Sequence, residues 1–456
     1  MTSGVRSYCV VGGGISGLVA AYRIRLAAGD GANITLFEPG DRLGGVLRTE
    51  LVGGVPADVG AEAFVVRRPE MPALLDELGL ANRQVGTTGA RPLIYSQDRL
   101  HPLPTATLTG IPSSAESMAG LVNDATLAHI ASESGRPFAW QSGTDPAVGD
   151  LVGDRFGDQV VARSVDPMLG GVYAGSAATI GLRSAAPTLA AALDGGAANL
   201  TDAVRGALMS VTAGPVFGAV SGGYTVLIDE LARRGRPAWV QSAVCSIEPA
   251  EQGWTLCDEA GGLWRADAVV LAVPAARLPG LVEGVAPRTA AAARRIVSAS
   301  SVVVALAVPR GLQFPQNSGV LVASGESLHA KAITFSSRKW GRGDVELLRL
   351  SFGRLGDDIA ARASDDELLA WAIDDLETVF GLAVEPVDVR VQRWPDAMPQ
   401  YAPGHRDLVA ELRAGLPSTL MVAGSYLDGI GVPACIGAAG RAAAAAVRAV
   451  ESPVAR

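Results

Sequence analysis

The first forty residues alternate between apolar runs and a glycine-rich turn. Ser7 to Val11 form a short apolar run typical of a buried strand. A second run, Ile34 to Phe37, ends at Glu38 before a Pro–Gly breaker pair. Between the two runs, apolar residues recur at helical spacing, at Ile15, Leu18, Val19, Tyr22 and Leu26. This order predicts a βαβ unit and a parallel sheet.

The middle of the chain follows a different pattern. From about Pro112 to Arg205, alanine, serine and threonine are abundant and long strand-like runs are missing. Helical periodicity dominates three stretches, Ala115 to Ser132, Ala147 to Pro167 and Leu189 to Ala207. We therefore expect a helical insertion here.

Strand-like runs return near Val216 and continue to the C-terminus. The clearest are Val269 to Val273, Val302 to Val308, Leu347 to Phe352 and Met421 to Ala423. Ser364 and Glu367 form a capping box before an apolar stripe, which predicts a helix ending near Phe380. An alanine-rich helix from Ile436 to Val450 is expected last.

Composition narrows the class of protein. A chain of 456 residues exceeds one ordinary core, so we expect two or three domains. With 48% apolar and 18% charged residues, disorder is excluded over most of the length. A net charge of −8 argues against a nucleic-acid partner. No apolar run reaches the length of a membrane span and no signal segment precedes the first strand, so we expect a cytoplasmic protein.

Cysteine and histidine spacing indicates no special chemistry. The cysteines lack CxxC spacing and are expected to be reduced thiols; they are Cys9, Cys245, Cys257 and Cys435. The histidines lack ligand-like spacing, so no metal site is predicted; they are His101, His129, His329 and His405.

The turn after the first strand carries a dinucleotide fingerprint. Gly12, Gly14 and Gly17 satisfy GxGxxG: the first allows a tight turn, the second close approach of a pyrophosphate, the third helix-on-strand packing. The following helix, beginning at Ile15 and Ser16, would direct free N–H groups at the phosphates. Glu38, 21 residues beyond Gly17, can accept hydrogen bonds from ribose hydroxyls.

Two further glycine-rich segments suit a large flat ligand. Asp41-Arg42-Leu43-Gly44-Gly45 follows the acidic strand end, with Arg42 able to approach the pyrophosphate, and a region including Gly60 continues it. Gly424 to Cys435 joins the last strand to the last helix and includes Gly429 and Val432, and Pro433 suits a helix start. That helix N-terminus would favour a negatively charged ring edge.

These segments resemble the amine-oxidase-like flavoproteins, in which FAD lies extended beneath the Arg42 loop. By this resemblance, Val244 lies in the strand whose backbone meets the adenine. The implied fold class is α/β: a Rossmann-like FAD-binding domain, a mixed-sheet substrate domain and a helical insertion. We expect the FAD-binding domain at 1–80, 211–279 and 413–456, the substrate domain at 81–111 and 280–412, and the insertion at 112–210.

A narrower resemblance is to the porphyrinogen oxidases of haem biosynthesis. It rests on the two N-terminal glycine loops, Leu100-His101-Pro102-Leu103-Pro104, Trp394 with Met398-Pro399-Gln400-Tyr401 and Gly404-His405, and the Gly424 to Cys435 segment. The Trp394 to His405 pattern, with Arg338-Lys339-Trp340, is most similar to the oxidases of Gram-positive bacteria, which favours coproporphyrinogen III over protoporphyrinogen IX.

The resemblance implies the chemistry and its partners. FAD, bound non-covalently, would accept hydride equivalents from the porphyrinogen in three two-electron steps, and molecular oxygen would reoxidise it with release of hydrogen peroxide. No catalytic residue is assigned, because the chemistry belongs to the flavin. The next enzyme of the haem pathway is a candidate partner, and contact of the helical stretch with a membrane surface stays open.

Six residues are candidates for binding the substrate. Arg91 matches a family arginine that pairs with a propionate, and guanidinium suits a carboxylate. Arg338 and Lys339 could meet further propionates. Leu321, Ile333 and Phe352 match apolar positions of the family's cavity, although a slip of one residue would turn each to the opposite face.

Three other kinds of protein share parts of this pattern. A flavin amine oxidase would use an aromatic cage and usually a lysine near the flavin, neither of which the sequence places. A carotenoid or phytoene desaturase would lack the Tyr401 and Gly404-His405 pattern. A flavin-free lipid- or prenyl-binding chaperone would have lost the glycine fingerprint, which is intact here.

Overall fold

A computed structural model of the protein describes residues 5–210, 214–341 and 345–451. Its N-terminal strand lies at the centre of a parallel sheet of order β12-β2-β1-β16-β22. The five strands are β1 (Ser7–Val11), β2 (Asn33–Phe37), β12 (Ala238–Val240), β16 (Ala268–Leu271) and β22 (Leu420–Val422). The sheet therefore joins residues from both ends of the chain.

This parallel sheet is covered on both faces, which explains its uninterrupted apolar runs. Alternate side chains of β1 enter separate cores: Tyr8 and Val10 one, Cys9 and Val11 the other. The first core is closed by α1 (Ile15–Ala28), α2 (Glu70–Glu77), α10 (Thr225–Gly235) and α17 (Val432–Glu451). The second is closed by α11 (Leu278–Val282), α12 (Pro287–Arg294), α16 (His405–Ala414) and the antiparallel strands β13 (Val244–Pro249), β14 (Trp254–Asp258) and β15 (Leu263–Ala266).

A second, mixed sheet has seven strands in the order β21-β17-β20-β19-β18-β7-β8. Its strands are β7 (Leu93–Ser96), β8 (Arg99–Pro102), β17 (Ser298–Val308), β18 (Gly319–Val322), β19 (Ala332–Phe335), β20 (Glu346–Phe352) and β21 (Asp388–Pro399). One face packs on α15 (Asp365–Phe380). The other faces a hairpin of residues 49–58 and the helical part of the chain.

The stretch 113–210 is helical. Its α-helices are α3 (Asp124–Ala131), α4 (Val148–Phe156), α5 (Asp158–Val160), α6 (Asp166–Tyr173), α7 (Leu182–Ala185), α8 (Pro187–Asp194) and α9 (Leu200–Met209). A π-helical turn, Val161–Val165, precedes α6, and 3₁₀ turns lie at Ala115–Met118 and Glu133–Gly135. These helices share one apolar core, to which Ile94 of β7 contributes.

The remaining elements are short. They are β3 (Thr49–Val52), β4 (Val55–Asp58), β5 (Phe64–Val65), β6 (Gln84–Gly86), β9 (Thr107–Leu108), β10 (Ile111–Pro112), β11 (Phe217–Val220), α13 (Ser336–Trp340), α14 (Ile359–Arg362) and 3₁₀ turns Ala81–Arg83 and Ala275–Arg277. The β3–β4 hairpin packs on the seven-stranded sheet through Val52, Ala57 and Val59.

The α/β class predicted from the sequence is confirmed, with some boundaries shifted. The last strand begins one residue earlier than expected, at Leu420, and the last helix begins at Val432 rather than Ile436. The predicted stretch Ala147 to Pro167 is not one helix, because Gly157 takes a left-handed φ of 94° and separates α4 from α5. The expected domain limit at residue 211 lies outside the described residues.

Candidate functional site

The β1–α1 turn is built by glycines with three different tasks. Gly12 has a φ of 110°, and a Cβ there would lie 2.4 Å from the Ala272 carbonyl oxygen. A Cβ on Gly17 would lie 1.8 Å from the Gly12 oxygen, so the helix touches the turn. Gly14 differs, because the nearest protein atom to such a Cβ would be 3.9 Å away. Its missing side chain therefore leaves space for something other than protein.

The open side of Gly14 lies at the N-terminus of α1. Gly14 is the N-cap of that helix, and no side chain caps its first N–H groups. Uncapped N–H groups at a helix start form an anion site together with the helix dipole. This geometry fits the pyrophosphate of a dinucleotide.

A second glycine loop packs against the first, backbone on backbone. Gly44 donates its N–H to the Gly13 oxygen at 2.8 Å and pairs with Gly14 in an isolated bridge. Gly45 has a φ of 58°, and a Cβ on it would be 3.1 Å from the Gly14 Cα. We call the segments Gly12–Gly17 and Gly44–Gly45 the glycine cradle.

Glu38 lies against the cradle at the end of β2. Its carboxylate accepts hydrogen bonds from the N–H groups of Gly13 at 2.8 Å and Gly40 at 3.0 Å. These contacts hold the carboxylate at the edge of the turn and leave it further lone pairs for ligand hydroxyls.

Arg42 is held by its own loop. Its guanidinium donates to the carbonyl oxygens of Leu43 and Leu47, each at 3.2 Å, and of Gly45 at 2.6 Å. It also lines a cavity of about 240 Å³ beside β2, together with Trp239. Arg42 therefore shapes the cradle, and Trp239 is a wall residue that the sequence did not single out.

The C-terminal segment reaches the cradle from the other side. Val432 and Pro433 are the first residues of α17 and are buried. Val432 shares its apolar core with Ile15, and Ser16 hydrogen-bonds Cys435, so the starts of α17 and α1 lie together. Gly429 has a φ of 144° and would place a Cβ 2.9 Å from that of Ala434, so this turn also excludes side chains.

Cys435 lies in this second helix start. Burial raises the pKa of its thiol to about 11, against an opposing hydrogen bond from Ser16. The thiol is therefore protonated and a weak nucleophile at neutral pH.

The Trp394 to His405 segment clamps the turn before α17. Tyr401 donates its hydroxyl to the Ser425 oxygen, and the His405 Nε2 lies 2.8 Å from the Tyr426 oxygen. Burial lowers the pKa of His405, so its neutral ring donates to that carbonyl. The segment that most favoured the porphyrinogen oxidases thus positions the glycine-rich turn before α17.

Two other predicted cofactor residues lie at the margins of the cradle. A Cβ on Gly60 would lie 1.8 Å from the Val46 oxygen and 3.1 Å from the Trp394 ring. Val244 begins β13 at a bulge and is half-buried. Glycine is required at position 60 by close packing. Val244 would contribute its backbone rather than its side chain.

A buried ion cluster joins the segment after β4 to the seven-stranded sheet. Glu62 bonds Lys339 Nζ at 2.8 Å, approaches Arg349 at 3.5 Å and accepts the Ser336 hydroxyl at 2.5 Å. Burial alone would raise the pKa of Glu62, but Lys339 and Arg349 outweigh it and lower the pKa to about 2. Glu62 is therefore ionised at neutral pH.

Arg338 and Lys339 were expected to meet substrate carboxylates, yet both have protein partners. Arg338 donates to Glu346 Oε1 at 2.8 Å and to the carbonyl oxygens of Phe314 and Pro315. Lys339 is committed to Glu62. Their charges are already neutralised, so the structure places both in the framework.

Arg91 retains donors for a ligand. It is exposed just before β7, and its Nη2 donates to the oxygens of Leu103 and Pro104 at 3.2 Å each. A guanidinium has five N–H donors, so these two bonds orient the group without exhausting it. Leu321, on the next strand, approaches α6, with its Cδ2 3.6 Å from where a Cβ of Gly171 would be.

Ile333 and Phe352 do not share a wall with Leu321, which corrects our expectation. Ile333 pairs with Val320 and Leu350, and all three side chains enter the core beneath α15. Phe352 enters the same core and is fully buried. Side chains alternate along a strand, so Ile333 and Phe352 lie on the opposite face of the sheet from Leu321.

The described residues contain neither a candidate metal site nor a helix that could span a membrane. In residues 5–210, 214–341 and 345–451, no group of three or more His, Cys, Asp or Glu side chains could hold a metal ion. No helix in that part of the chain is both long and apolar enough to cross a bilayer.

Comparison with known proteins gives one family. The profile described as "Flavin containing amine oxidoreductase" matches residues 15–447. The chain is 72% identical to a coproporphyrinogen III oxidase of Mycobacterium tuberculosis (strain ATCC 25618 / H37Rv), over 99% of each chain. It is 68% identical to that of Mycobacterium leprae, over 100% of each. A crystal structure of a candidate protoporphyrinogen oxidase from Exiguobacterium sp. 255-15 matches with a TM-score of 0.87 and 26% identity, over 97% of this chain and 98% of that one.

Proposed function

Because this chain belongs to the family of flavin-containing amine oxidoreductases, we propose that it oxidises coproporphyrinogen III to coproporphyrin III using non-covalently bound FAD. The near full-length likeness to mycobacterial coproporphyrinogen III oxidases carries the choice of substrate. The glycine cradle supports the choice of cofactor, since its open side at Gly14 suits a pyrophosphate.

Each part of the cradle would hold a different part of FAD. The uncapped N–H groups of α1 would bind the pyrophosphate, and Glu38 would accept hydrogen bonds from the ribose. The start of α17, at Val432 and Pro433, would favour negative charge on the ring system. Protonated Cys435 supports a flavin held without a covalent bond.

FAD, when bound, supplies the hydride acceptor and passes the electrons to molecular oxygen, giving hydrogen peroxide. The chain's residues would then act by orientation and exclusion of water. Arg91 would hold a propionate by a charge-assisted bond, and Leu321 would contact the ring. The clamp of Tyr401 and His405 would keep the C-terminal turn fixed while the substrate enters.

A parallel assay tests the proposal. The purified yellow protein is offered coproporphyrinogen III, protoporphyrinogen IX and a primary amine, and porphyrin fluorescence and hydrogen peroxide are recorded. We expect coproporphyrin III to form fastest, with three equivalents of peroxide for each porphyrin. Peroxide from the amine alone would identify an amine oxidase instead, and a colourless protein without activity would favour a binding protein.

The product leaves as an acidic porphyrin, so the enzyme that inserts metal into it is the partner we expect. The domain limits predicted from the sequence remain a proposal, with the two large sheets as their centres.

A further inference from the structure

This chain uses lysine very sparingly. Lysine and arginine together number 38, and only Lys331 and Lys339 are lysine. Lys339 is neutralised by Glu62. Lys331 is only 6% exposed, although a lysine is almost never so buried without a partner.

The Lys331 ammonium has no carboxylate partner in the described part of the chain. Its Nζ donates to two backbone oxygens at the end of β20, Gly353 at 2.5 Å and Phe352 at 3.3 Å. No acidic side chain of the described residues lies within ion-pair distance of it. An ammonium has three donors, so one is available.

A second cation lies beside it. Half-buried Arg354 begins the turn after β20, and its Nη1 lies 2.8 Å from where a Cβ of Gly170 would be, on α6. Burial lowers the pKa of this guanidinium as well. Within the described ranges, its side chain has no hydrogen-bond partner.

The nearby carboxylates are already engaged. Asp166 of α6 accepts from Ala177 N at 2.6 Å and Ser324 Oγ at 2.8 Å. Asp357 accepts from two backbone N–H groups of its own turn, at 3.2 and 2.7 Å. On the α15 side, Asp375 accepts from the backbone N–H groups before Lys331, at 3.1 and 2.7 Å. The two cations therefore keep donors for an additional anion.

Arg354 and Leu321 both lie against α6. Gly170 and Gly171 are neighbours on α6; the first meets Arg354 and the second meets Leu321. Side chains are missing at both positions, so α6 approaches this end of the sheet closely. Lys331 reaches the same turn, because its Nζ donates to the oxygen of Gly353, the residue before Arg354, at 2.5 Å.

Arg91 and Lys331 lie at opposite ends of β18. The Arg91 oxygen accepts from Ser318 N, and the Lys331 oxygen accepts from Val322 N. Four residues of strand separate these contacts, about 13 Å at 3.3 Å per residue. That distance is comparable with the width of a tetrapyrrole and its side chains.

We propose that Lys331 and Arg354 form a second carboxylate site, which binds a propionate on the edge of the porphyrinogen opposite to the one held by Arg91. This inference rests on the proposed function and names its specificity determinant. Coproporphyrinogen III carries propionates on all four pyrroles, whereas protoporphyrinogen IX carries two on adjacent pyrroles. Only a substrate with acids on opposite edges occupies both ends of β18.

The test compares Lys331→Met and Arg354→Met with the parent, using holoenzyme. We expect KM for coproporphyrinogen III to rise about ten- to a hundredfold, as for loss of a charged hydrogen bond. KM for protoporphyrinogen IX should change less than about threefold, and flavin absorbance should be unchanged. Lys331→Arg keeps the charge and should retain the preference. Arg448→Met, an exposed arginine of α17, is the matched control.

A titration of the unmodified protein provides an independent readout. Burial, with Arg354 adding to it, lowers the pKa of Lys331 to about 7, so the empty site loses charge above neutral pH. Affinity for coproporphyrin III should therefore fall about tenfold or more from pH 6 to pH 9, at most tenfold for each unit. The Lys331→Arg variant should not show this fall.

The outcomes separate the two proposals. A parent enzyme that neither binds coproporphyrin III nor oxidises its porphyrinogen refutes the proposed function and this inference with it. A parent that does both, with a flat pH profile, overturns the second carboxylate site alone. Unchanged KM values in both methionine variants overturn it equally.

Discussion

Gly14 and Gly17 differ in what a side chain would meet. At Gly17 a Cβ would lie 1.8 Å from backbone, but at Gly14 the nearest protein atom would be 3.9 Å away. We predict that Gly14→Ala folds normally and loses most of its flavin, because the added methyl group enters the pyrophosphate's space. Absorbance at the flavin band against total protein measures this.

Gly17→Ala is the matched control and should yield little folded protein, since backbone must move to admit it. Full flavin occupancy in Gly14→Ala would show that the phosphates lie elsewhere.

Glu38 contributes to the glycine cradle through hydrogen bonds, whereas Gly14 contributes by leaving room for a ligand. Glu38→Ala removes the acceptor for Gly13 and Gly40 N–H groups and for the expected ribose hydroxyls. We predict weaker FAD binding by about 1.5–3 kcal/mol, measured by titrating the apoprotein. Glu38→Gln keeps the shape and should fall between. Equal affinities in all three proteins would contradict the ribose role.

Arg91 is a further residue whose role can be separated from folding. Arg91→Ala should raise KM for coproporphyrinogen III by about one to two decades, because the loss of a charged hydrogen-bond partner costs about 1.5–3 kcal/mol of binding free energy. Flavin content should be unaffected, because the Arg91 side chain bonds only the Leu103 and Pro104 oxygens among described residues. Arg91→Lys should be intermediate. Exposed Arg99→Ala is the control, and equal KM values in all variants would move the anchor elsewhere.

Between elements, Glu62 links the segment after β4 to α13 and β20. Its folded pKa, about 2, lies below the usual 4.5, so its stabilisation is present above pH 4.5 and is lost as pH falls through 2. We predict that Glu62→Gln lowers the free energy of unfolding by about 3–5 kcal/mol at pH 7.

The difference in the free energy of unfolding between Glu62→Gln and the parent should become smaller below pH 4.5. Asp58 has the opposite behaviour, since burial raises its pKa to about 6 with a lesser contribution from the charge of Glu62, so its titration cancels only in part from the difference. A difference in the free energy of unfolding that does not depend on pH would show that the variant loses packing rather than a charge interaction.

Elements with local signals were predictable from the sequence. The β1–α1–β2 unit and the capping box of α15 were predicted because their turns and caps are determined by neighbouring residues. β21 was not predicted as a strand, since Pro395 interrupts its pattern at an irregular register.

The residues of the candidate site also divide into those with a local sequence signal and those without one. The cradle glycines could be read from spacing, whereas the faces of Ile333 and Phe352 depend on pairing with distant strands. Lys331 and Arg354 carried no motif at all; only the pairing of β19 with β20 brings them together.

At the scale of the whole molecule, FAD should be released on denaturation and should not remain covalently attached to the polypeptide. Cys435 is the thiol beside the α17 turn, and its raised pKa disfavours attack on the flavin. We predict that acid precipitation releases all yellow colour into the supernatant, with a protein mass equal to that of the bare chain. An intact mass increased by a flavin would contradict this.

The parallel sheet has a consequence for how the protein is made. Its first strand emerges from the ribosome early, but β22 and α17, which complete the sheet and cover α1, come last. About 400 residues separate them, which at 5–20 residues per second leaves the apolar face of α1 uncovered for roughly 20–80 s. We therefore expect nascent chains to benefit from chaperones, and products that end before β22 to lack the part of the cofactor site that α17 would supply.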